Sequence, residues 1–203
     1  MSEPPLAVFT PVLETKRLTM KLMNLERDVH VLAEIMNVFL RGKDGFQWTV
    51  ESATRLMTNL MLSPSNCLGL KAPGPAAYML YLQSETGPAI GFVSLNERSP
   101  DVPPDVGFIF RPEYQNQGYG TEAATAFLNY FIHDFGLKNI CAMVFLPNDR
   151  SVALIRKLGF QDGGDVVLEP WGVTSVFVLP GMKHLSKEAT TVSRWGVEKG
   201  GGG

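Results

Sequence analysis

The stretch Asp105-Val-Gly-Phe108-Ile109-Phe110-Arg-Pro-Glu-Tyr-Gln115-Asn-Gln117-Gly118-Tyr119-Gly120-Thr121 decides the reading of this chain. Residues 106–110 are almost wholly apolar, the pattern of a strand covered on both faces. A short polar turn follows. Residues 118–135 then place Ala123, Ala126, Phe127, Tyr130 and Phe131 along one side of a helix that Gly136 stops. The helix opens at two closely spaced glycines. A helix start presents unpaired backbone N–H groups and the positive end of the helix dipole, and glycine lets an anion approach that backbone closely. The segment is therefore a candidate phosphate site. A bare Gly-x-Gly is also compatible with a helix start that binds nothing.

Two well-defined phosphate loops fail here. A P-loop needs Gly-Lys-Ser/Thr, but Gly120 is followed by Thr121 and Glu122 with no lysine. A dinucleotide fingerprint follows the first strand of a parallel alternation, whereas about four strands precede this one. Upstream, residues 17–22 alternate apolar and polar, the period of a half-buried strand. Residues 28–38 carry Val31, Ile35 and Val38 at helical spacing, with Asp28 placed to start the helix, and Thr49 is placed to cap a second helix carrying Ala53 and Leu56. Residues 78–83 and 90–96 form a hairpin around Glu85-Thr86-Gly87-Pro88. Downstream come a strand at 140–146, a helix at 151–158 closed by Gly159, and a strand pair at 166–168 and 173–179. The order predicts an α/β protein with a mixed sheet flanked by about four helices.

The 203 residues suit one domain, with 45% apolar and 19% charged types. That excludes general disorder. Eighteen Lys/Arg against twenty Asp/Glu give a net charge of −2 and no dense basic stripe, so no nucleic-acid partner is expected. Cys67 and Cys141 lie far apart, and with three histidines no metal site is expected. No signal peptide and no run long enough to span a membrane are apparent, which predicts a cytoplasmic protein with reduced thiols and no membrane partner. The expected layout is an N-terminal arm over residues 1–13, one domain over 14–181, and a flexible tail over 182–203 ending in four glycines.

Gln115-x-x-Gly118-x-Gly120 resembles the acyl-CoA diphosphate signature of the GNAT superfamily of N-acetyltransferases. Three more blocks share the resemblance, in order and at family spacing. Glu14-Thr15-Lys16-Arg17-Leu18 is similar to the first-strand opening of the ribosomal-protein alpha-amino acetyltransferase (Rim-type) branch. Asp105-Val-Gly-Phe108 matches the strand before the loop. Asn148-Asp-Arg-Ser151, with Arg156-Lys157-Leu158-Gly159-Phe160, matches the helix after the fifth strand.

The resemblance implies a mostly antiparallel sheet splayed between its fourth and fifth strands, with acyl-CoA in the opening. A bulge in the fourth strand would free backbone groups of Phe108, Ile109 and Phe110 for the pantetheine arm. The diphosphate would lie on the amides of Gln117, Gly118, Tyr119, Gly120 and Thr121, with Gln115 at the head of the loop, and Asn148 beside the thioester. It implies acetyl-CoA as acyl donor, an amine as acceptor, and leaves a homodimer open. The amine must lose a proton before it attacks. Asp105 and Glu169 compete as the base by position, and Glu97 ranks behind them. The tyrosine that many members use as acid is replaced by Ile155, which leaves Ser151, a residue that also suits a helix cap. The open alternatives are a CoA-binding module without turnover and a nucleotide-phosphate binder. Phe46, Trp48 and Trp171 are candidates to line an acceptor pocket or to anchor loops.

Overall fold

The computed structural model describes residues 9–39, 47–62, 76–96, 98, 102–144, 148–169, 172–185 and 191–193. The Gly42–Gly45 break, Phe46, Cys67, Glu97 and Trp171 lie outside them, as do the side chain of Glu169 and the chain end. In chain order come β1 (Val12–Glu14), β2 (Leu18–Leu22), α1 (Leu25–Phe39), α2 (Val50–Leu62), β3 (Ala77–Leu82), β4 (Ala89–Asn96), β5 (Asp105–Phe110), α3 (Tyr119–Phe135), β6 (Cys141–Val144), α4 (Asp149–Lys157), β7 (Gln161–Glu169), β8 (Gly172–Val178) and β9 (Thr191–Ser193). The strands form one sheet in the order β1-β2-β3-β4-β5-β6-β8-β7-β9. Pairing is antiparallel except at β5–β6 and β7–β9.

Both faces of the sheet are covered, and β3 shows how. Ala77, Met79 and Tyr81 point into a cluster with Leu32, Ile35 and Met36 of α1 and Ala53, Leu56 and Met57 of α2. Tyr78 and Leu80 point the other way, onto Phe127 and Phe131 of α3. That period of two across a strand buried on both sides accounts for its unbroken apolar sequence. A third cluster packs Cys141, Val166, Leu168, Val176 and Val178 of β6, β7 and β8 together with Val102.

The helix starts follow local chemistry. α1 begins earlier than Asp28. Asn24 caps it, its Oδ1 accepting the Arg27 amide at 3.1 Å, while the Asp28 carboxylate reaches back to the Asn24 amide at 2.8 Å. The face of α1 is also turned from the sequence expectation. Val29, Leu32, Ala33, Ile35 and Met36 are buried, and Val38 is 38% exposed. Thr49 does cap α2, exchanging hydrogen bonds with Ser52.

Two boundaries differ from expectation. Residues 9–13, assigned to an arm, belong to the fold: Phe9 is buried and meets Phe131 and Phe135 edge-on at 5.3 and 5.2 Å. The Thr10 amide donates to the Tyr130 hydroxyl, and the Tyr78 hydroxyl donates to the Thr10 carbonyl, both at 2.8 Å. Burying one phenyl ring stabilises by about 1.5–3 kcal/mol, and the Thr10 bonds and the pairing of β1 with β2 add to it in holding the segment on the fold. At the other end, the Leu185 amide donates to the Gly163 carbonyl at 2.7 Å, and Thr191–Ser193 adds a parallel strand to β7.

Candidate active site

The sheet splits in its middle. β4 and β5 pair in unbroken register from Asn96↔Asp105 to Gly91↔Phe110. β5 and β6 meet only at Asp105↔Cys141 among the described residues. The expected bulge in the strand before the loop is therefore not there; the irregularity lies one ladder away, between Leu80 and Tyr81 of β3. Opening comes from β6 leaving β5. Gly91 lets β4 stay close at this point, since a Cβ there would stand 2.1 Å from the Ile109 carbonyl oxygen.

Strand phase fixes which backbone groups face the opening. The Arg111 amide donates to the Ile90 carbonyl at 2.8 Å. That makes Phe110↔Gly91 a non-hydrogen-bonded pair, so Phe108 and Phe110 turn their N–H and C=O groups toward β6. Ile109 turns its backbone toward β4, a correction to the expectation that all three residues would offer free backbone groups. The Phe110 carbonyl is occupied by Gln115 Nε2 at 2.9 Å.

A cleft of about 550 Å³ fills the gap. Phe108, Ile109, Phe110, Gln115, Gly118, Gly120, Thr121, Asn148 and Ser151 line it, all of them expected from sequence. Gln117 and Tyr119 contribute no lining: the Gln117 carbonyl accepts from Arg17, and the Tyr119 ring lies under the same guanidinium at 4.3 Å. Sequence reasoning missed the other lining residues, among them Val38, Arg150, Leu154 and Lys157. The last three fall at i, i+4 and i+7 on α4, a helical stripe that spacing alone could have shown. Val38 could not be found that way, because its apolar type suggested core.

After β5 a single turn of 3-10 helix (Pro112–Tyr114) leads to Gly118, which caps α3 with φ +82° and ψ −3°. That left-handed conformation suits glycine. The first intrahelical bond runs from the Glu122 amide to the Gly118 carbonyl at 3.1 Å. The amides of Tyr119, Gly120 and Thr121 ahead of it have no helical acceptor, and they collect at the positive end of a 17-residue helix. Gly120 brings this end against α4, since a Cβ there would sit 3.0 Å from Leu154 Cδ2 and 3.5 Å from Phe110 Cε2. Glycine-cradled amides with Arg150 and Lys157 on the rim fit a phosphate-bearing group such as the diphosphate of CoA.

Asn148 caps α4, its Oδ1 accepting the Ser151 amide at 3.1 Å. Ser151 is therefore not the cap; it stands in the first turn and lines the cleft. Ile155, where the resemblance leads to the expectation of a tyrosine, is 2% exposed and packed in the main core.

Asp105 sits where the strands part, outside the cleft lining, and is 3% exposed. Both its oxygens are held by Arg98, Oδ1 by Nε at 2.5 Å and Oδ2 by a terminal nitrogen at 3.1 Å. Beside it, burial and the Asp105 charge push the Cys141 thiol well above its ordinary pKa, so it stays protonated. Glu169 ends β7. Trp48 is buried among the residues of α1 and α2, its backbone held by the Asn37 side chain. Among the described residues no group of His, Cys, Asp and Glu is placed to hold a metal ion, and no helix is long and apolar enough to cross a membrane.

Comparison with known proteins agrees with this architecture. The acetyltransferase (GNAT) domain family matches residues 17–161. The uncharacterized N-acetyltransferase YnaD of Bacillus subtilis is 37% identical over 60 residues, which cover 30% of this chain and 35% of that protein. The chain thus matches only about a third of that relative's length. A GNAT-family acetyltransferase from Bacillus anthracis has the same fold, with a TM-score of 0.64 at 19% identity over 83% of this chain and 97% of its own. RimL, a ribosomal alpha-N-protein acetyltransferase in complex with coenzyme A, superposes with a TM-score of 0.62 at 13% identity, covering 82% and 96%. The match over residues 17–161 spans well over half of the sequence, and the chain belongs to the GNAT acetyltransferase family.

Proposed function

We propose that this chain is an acetyl-CoA-dependent N-acetyltransferase that transfers the acetyl group to a primary amine, on a small molecule or a peptide alpha-amine, by direct attack on the thioester. The observation that carries the reading is the cleft between β5 and β6, where the loop Gln115–Thr121 meets Asn148 and Ser151. The amides of Gly118, Tyr119, Gly120 and Thr121 hold the diphosphate. Phe108 and Phe110 offer backbone groups to the pantetheine arm, an extended amide chain that adds to a strand edge as a peptide would. The Phe110 N–H is the donor for the oxygen that gains charge as the amine attacks. RimL, bound to coenzyme A, shares this fold.

The proton traffic rests on Ser151 and Glu169. Ser151 lines the cleft and its side chain is not needed to cap α4, so its hydroxyl is available to return a proton to the leaving thiolate. Of the two carboxylates, Glu169 fits the base better. Asp105 is buried outside the cleft lining, with both oxygens engaged by the Arg98 guanidinium, so it is not presented to an acceptor in the cleft. The acceptor amine has an ordinary pKa of about 8 to 10, so it arrives protonated and needs such a base.

Calorimetry with CoA and a thiol-release assay with acetyl-CoA over an amine panel test this reading. CoA binding and amine-dependent thiol release are expected, with Ser151→Ala lowering kcat on the order of 100-fold while KM for acetyl-CoA holds. Absence of CoA binding refutes it. Binding without turnover on any amine favours the alternative, a CoA-binding module, for which the buried Ile155 at the family's tyrosine position is the motive.

A further inference from the structure

Glu122 places a carboxylate in the first turn of α3, immediately after the amides that face the cleft. At a helix N-terminus that charge suits the dipole, but it opposes any anion brought to the same amides. Its surroundings answer the conflict. Glu122 Oε1 accepts from the Thr15 hydroxyl at 2.7 Å and the Arg17 amide at 2.8 Å, and Oε2 accepts from Arg17 Nε at 2.7 Å. Burial works to raise this carboxyl's pKa, but the bonds from Thr15 and Arg17 outweigh it and keep the group ionised.

The same guanidinium reaches the loop itself. A terminal nitrogen of Arg17 donates to the Gln117 carbonyl at 2.9 Å, and the group stacks on Tyr119. Its other terminal nitrogen lies 3.3 Å from where a Cβ on Gly118 would stand. The peptide between Gln117 and Gly118 is planar and trans, so a carbonyl held toward Arg17 aims the Gly118 N–H the opposite way.

We propose that Arg17 is a positioning residue for the diphosphate of acyl-CoA: it cancels the charge of Glu122 beside the glycine loop and, by holding the Gln117 carbonyl, orients the Gly118 amide. The inference rests on the reading of this loop as the acyl-CoA site. The diphosphate is bound by the loop, and Arg17 acts through Glu122 and Gln117. Truncating Arg17 leaves a partly buried carboxylate uncompensated next to an anion site and lets the loop peptide turn.

The test measures CoA affinity by calorimetry, kcat and KM for acetyl-CoA, and melting temperature, on wild type, Arg17→Ala, Arg17→Lys and Arg17→Ala/Glu122→Gln. Loss of charge-assisted bonds of this kind predicts a rise of about tenfold or more in Kd and KM for Arg17→Ala, with kcat nearly unchanged. Removing the opposing charge in the double variant should recover more than half of that loss on a logarithmic scale. Arg17→Lys keeps the charge but cannot fork between Glu122 and Gln117, so it raises KM too, and it carries the test if the alanine variant does not fold. A wild-type KM in both single variants overturns the proposal, as does a fall in kcat with KM held. A double variant no better than Arg17→Ala overturns it as well, and makes Arg17 a direct ligand instead. Failure of the wild type to bind CoA is a separate result, which removes the loop reading and the inference with it.

Discussion

Asn148 holds two jobs that one pair of substitutions can separate. Its Oδ1 caps α4 through the Ser151 amide at 3.1 Å, while the residue also lines the cleft. Asn148→Ala removes both functions. Losing one side-chain cap costs about 1 kcal/mol, and α4 itself persists because Ile155 stays packed in the core. For a chain of this size that is a fall of about 2–4 °C in melting temperature. Asn148→Asp keeps an acceptor for the Ser151 amide and adds a charge that the start of α4 tolerates, so its melting temperature should equal or exceed that of wild type. It removes the amide nitrogen, however, which under the proposed reading is a donor to an uncharged carbonyl of the pantetheine arm. A neutral hydrogen bond is worth about 0.5–1.5 kcal/mol, so KM for acetyl-CoA should rise roughly 2- to 10-fold. Thermal melts and steady-state thiol release read the two effects independently. If Asn148→Asp matches wild type in both assays, Asn148 is a cap and nothing more. If Asn148→Ala melts with wild type, the capping argument is wrong.

Three further outcomes are expected. Gly118→Ala forces a side chain into φ +82°, at a cost of about 1–2 kcal/mol, and pushes its Cβ toward the Arg17 guanidinium; denaturant melts and CoA calorimetry should both weaken. Arg98→Ala strands the buried Asp105 carboxylate and should destabilise by about 3–5 kcal/mol in urea unfolding, whereas exchanging both partners for apolar residues should cost much less; equal losses would show that the pair is not the cause. Glu122 has a pKa held below its ordinary value, so its contribution to stability is complete above about pH 4.5 and is lost as pH falls through its lowered folded-state pKa. The melting-temperature gap between wild type and Glu122→Gln should therefore shrink in the acid range and stay constant near neutrality.

Local signals in the sequence located most of the site. Gly118 and Gly120 after an apolar strand mark a helix start, and Asn148 with Ser151 marks another, because both depend on neighbours a few residues away. Long-range choices were illegible. Nothing around Phe9 announces that Phe131 and Phe135 will receive it, and its proline-rich neighbours suggested an arm. Asp105 and Arg98 are seven residues apart, yet their pairing depends on where β5 begins and on how deeply that end is buried. The Arg17–Glu122 contact spans 105 residues and joins two blocks that sequence spacing treats separately. Val38 failed for a different reason: helical periodicity shows that a face is apolar but not whether protein or a ligand will cover it.

An unpaired strand edge is ordinarily a hazard at the rim of a sheet, where it recruits other chains. Here the edge of β5 lies at the centre of the domain, recessed between the start of α3 and the flank of α4. The recess shields it from whole strands while leaving it open to a thin, amide-bearing chain. A sequence selected for stability alone would continue the ladder from Asp105↔Cys141 along the rest of β5 and close the sheet. Doing so would fill the site. Among the described residues the gap is thus a break in the sheet's own ladder, and stabilising substitutions that draw β6 toward β5 should be the ones that cost activity.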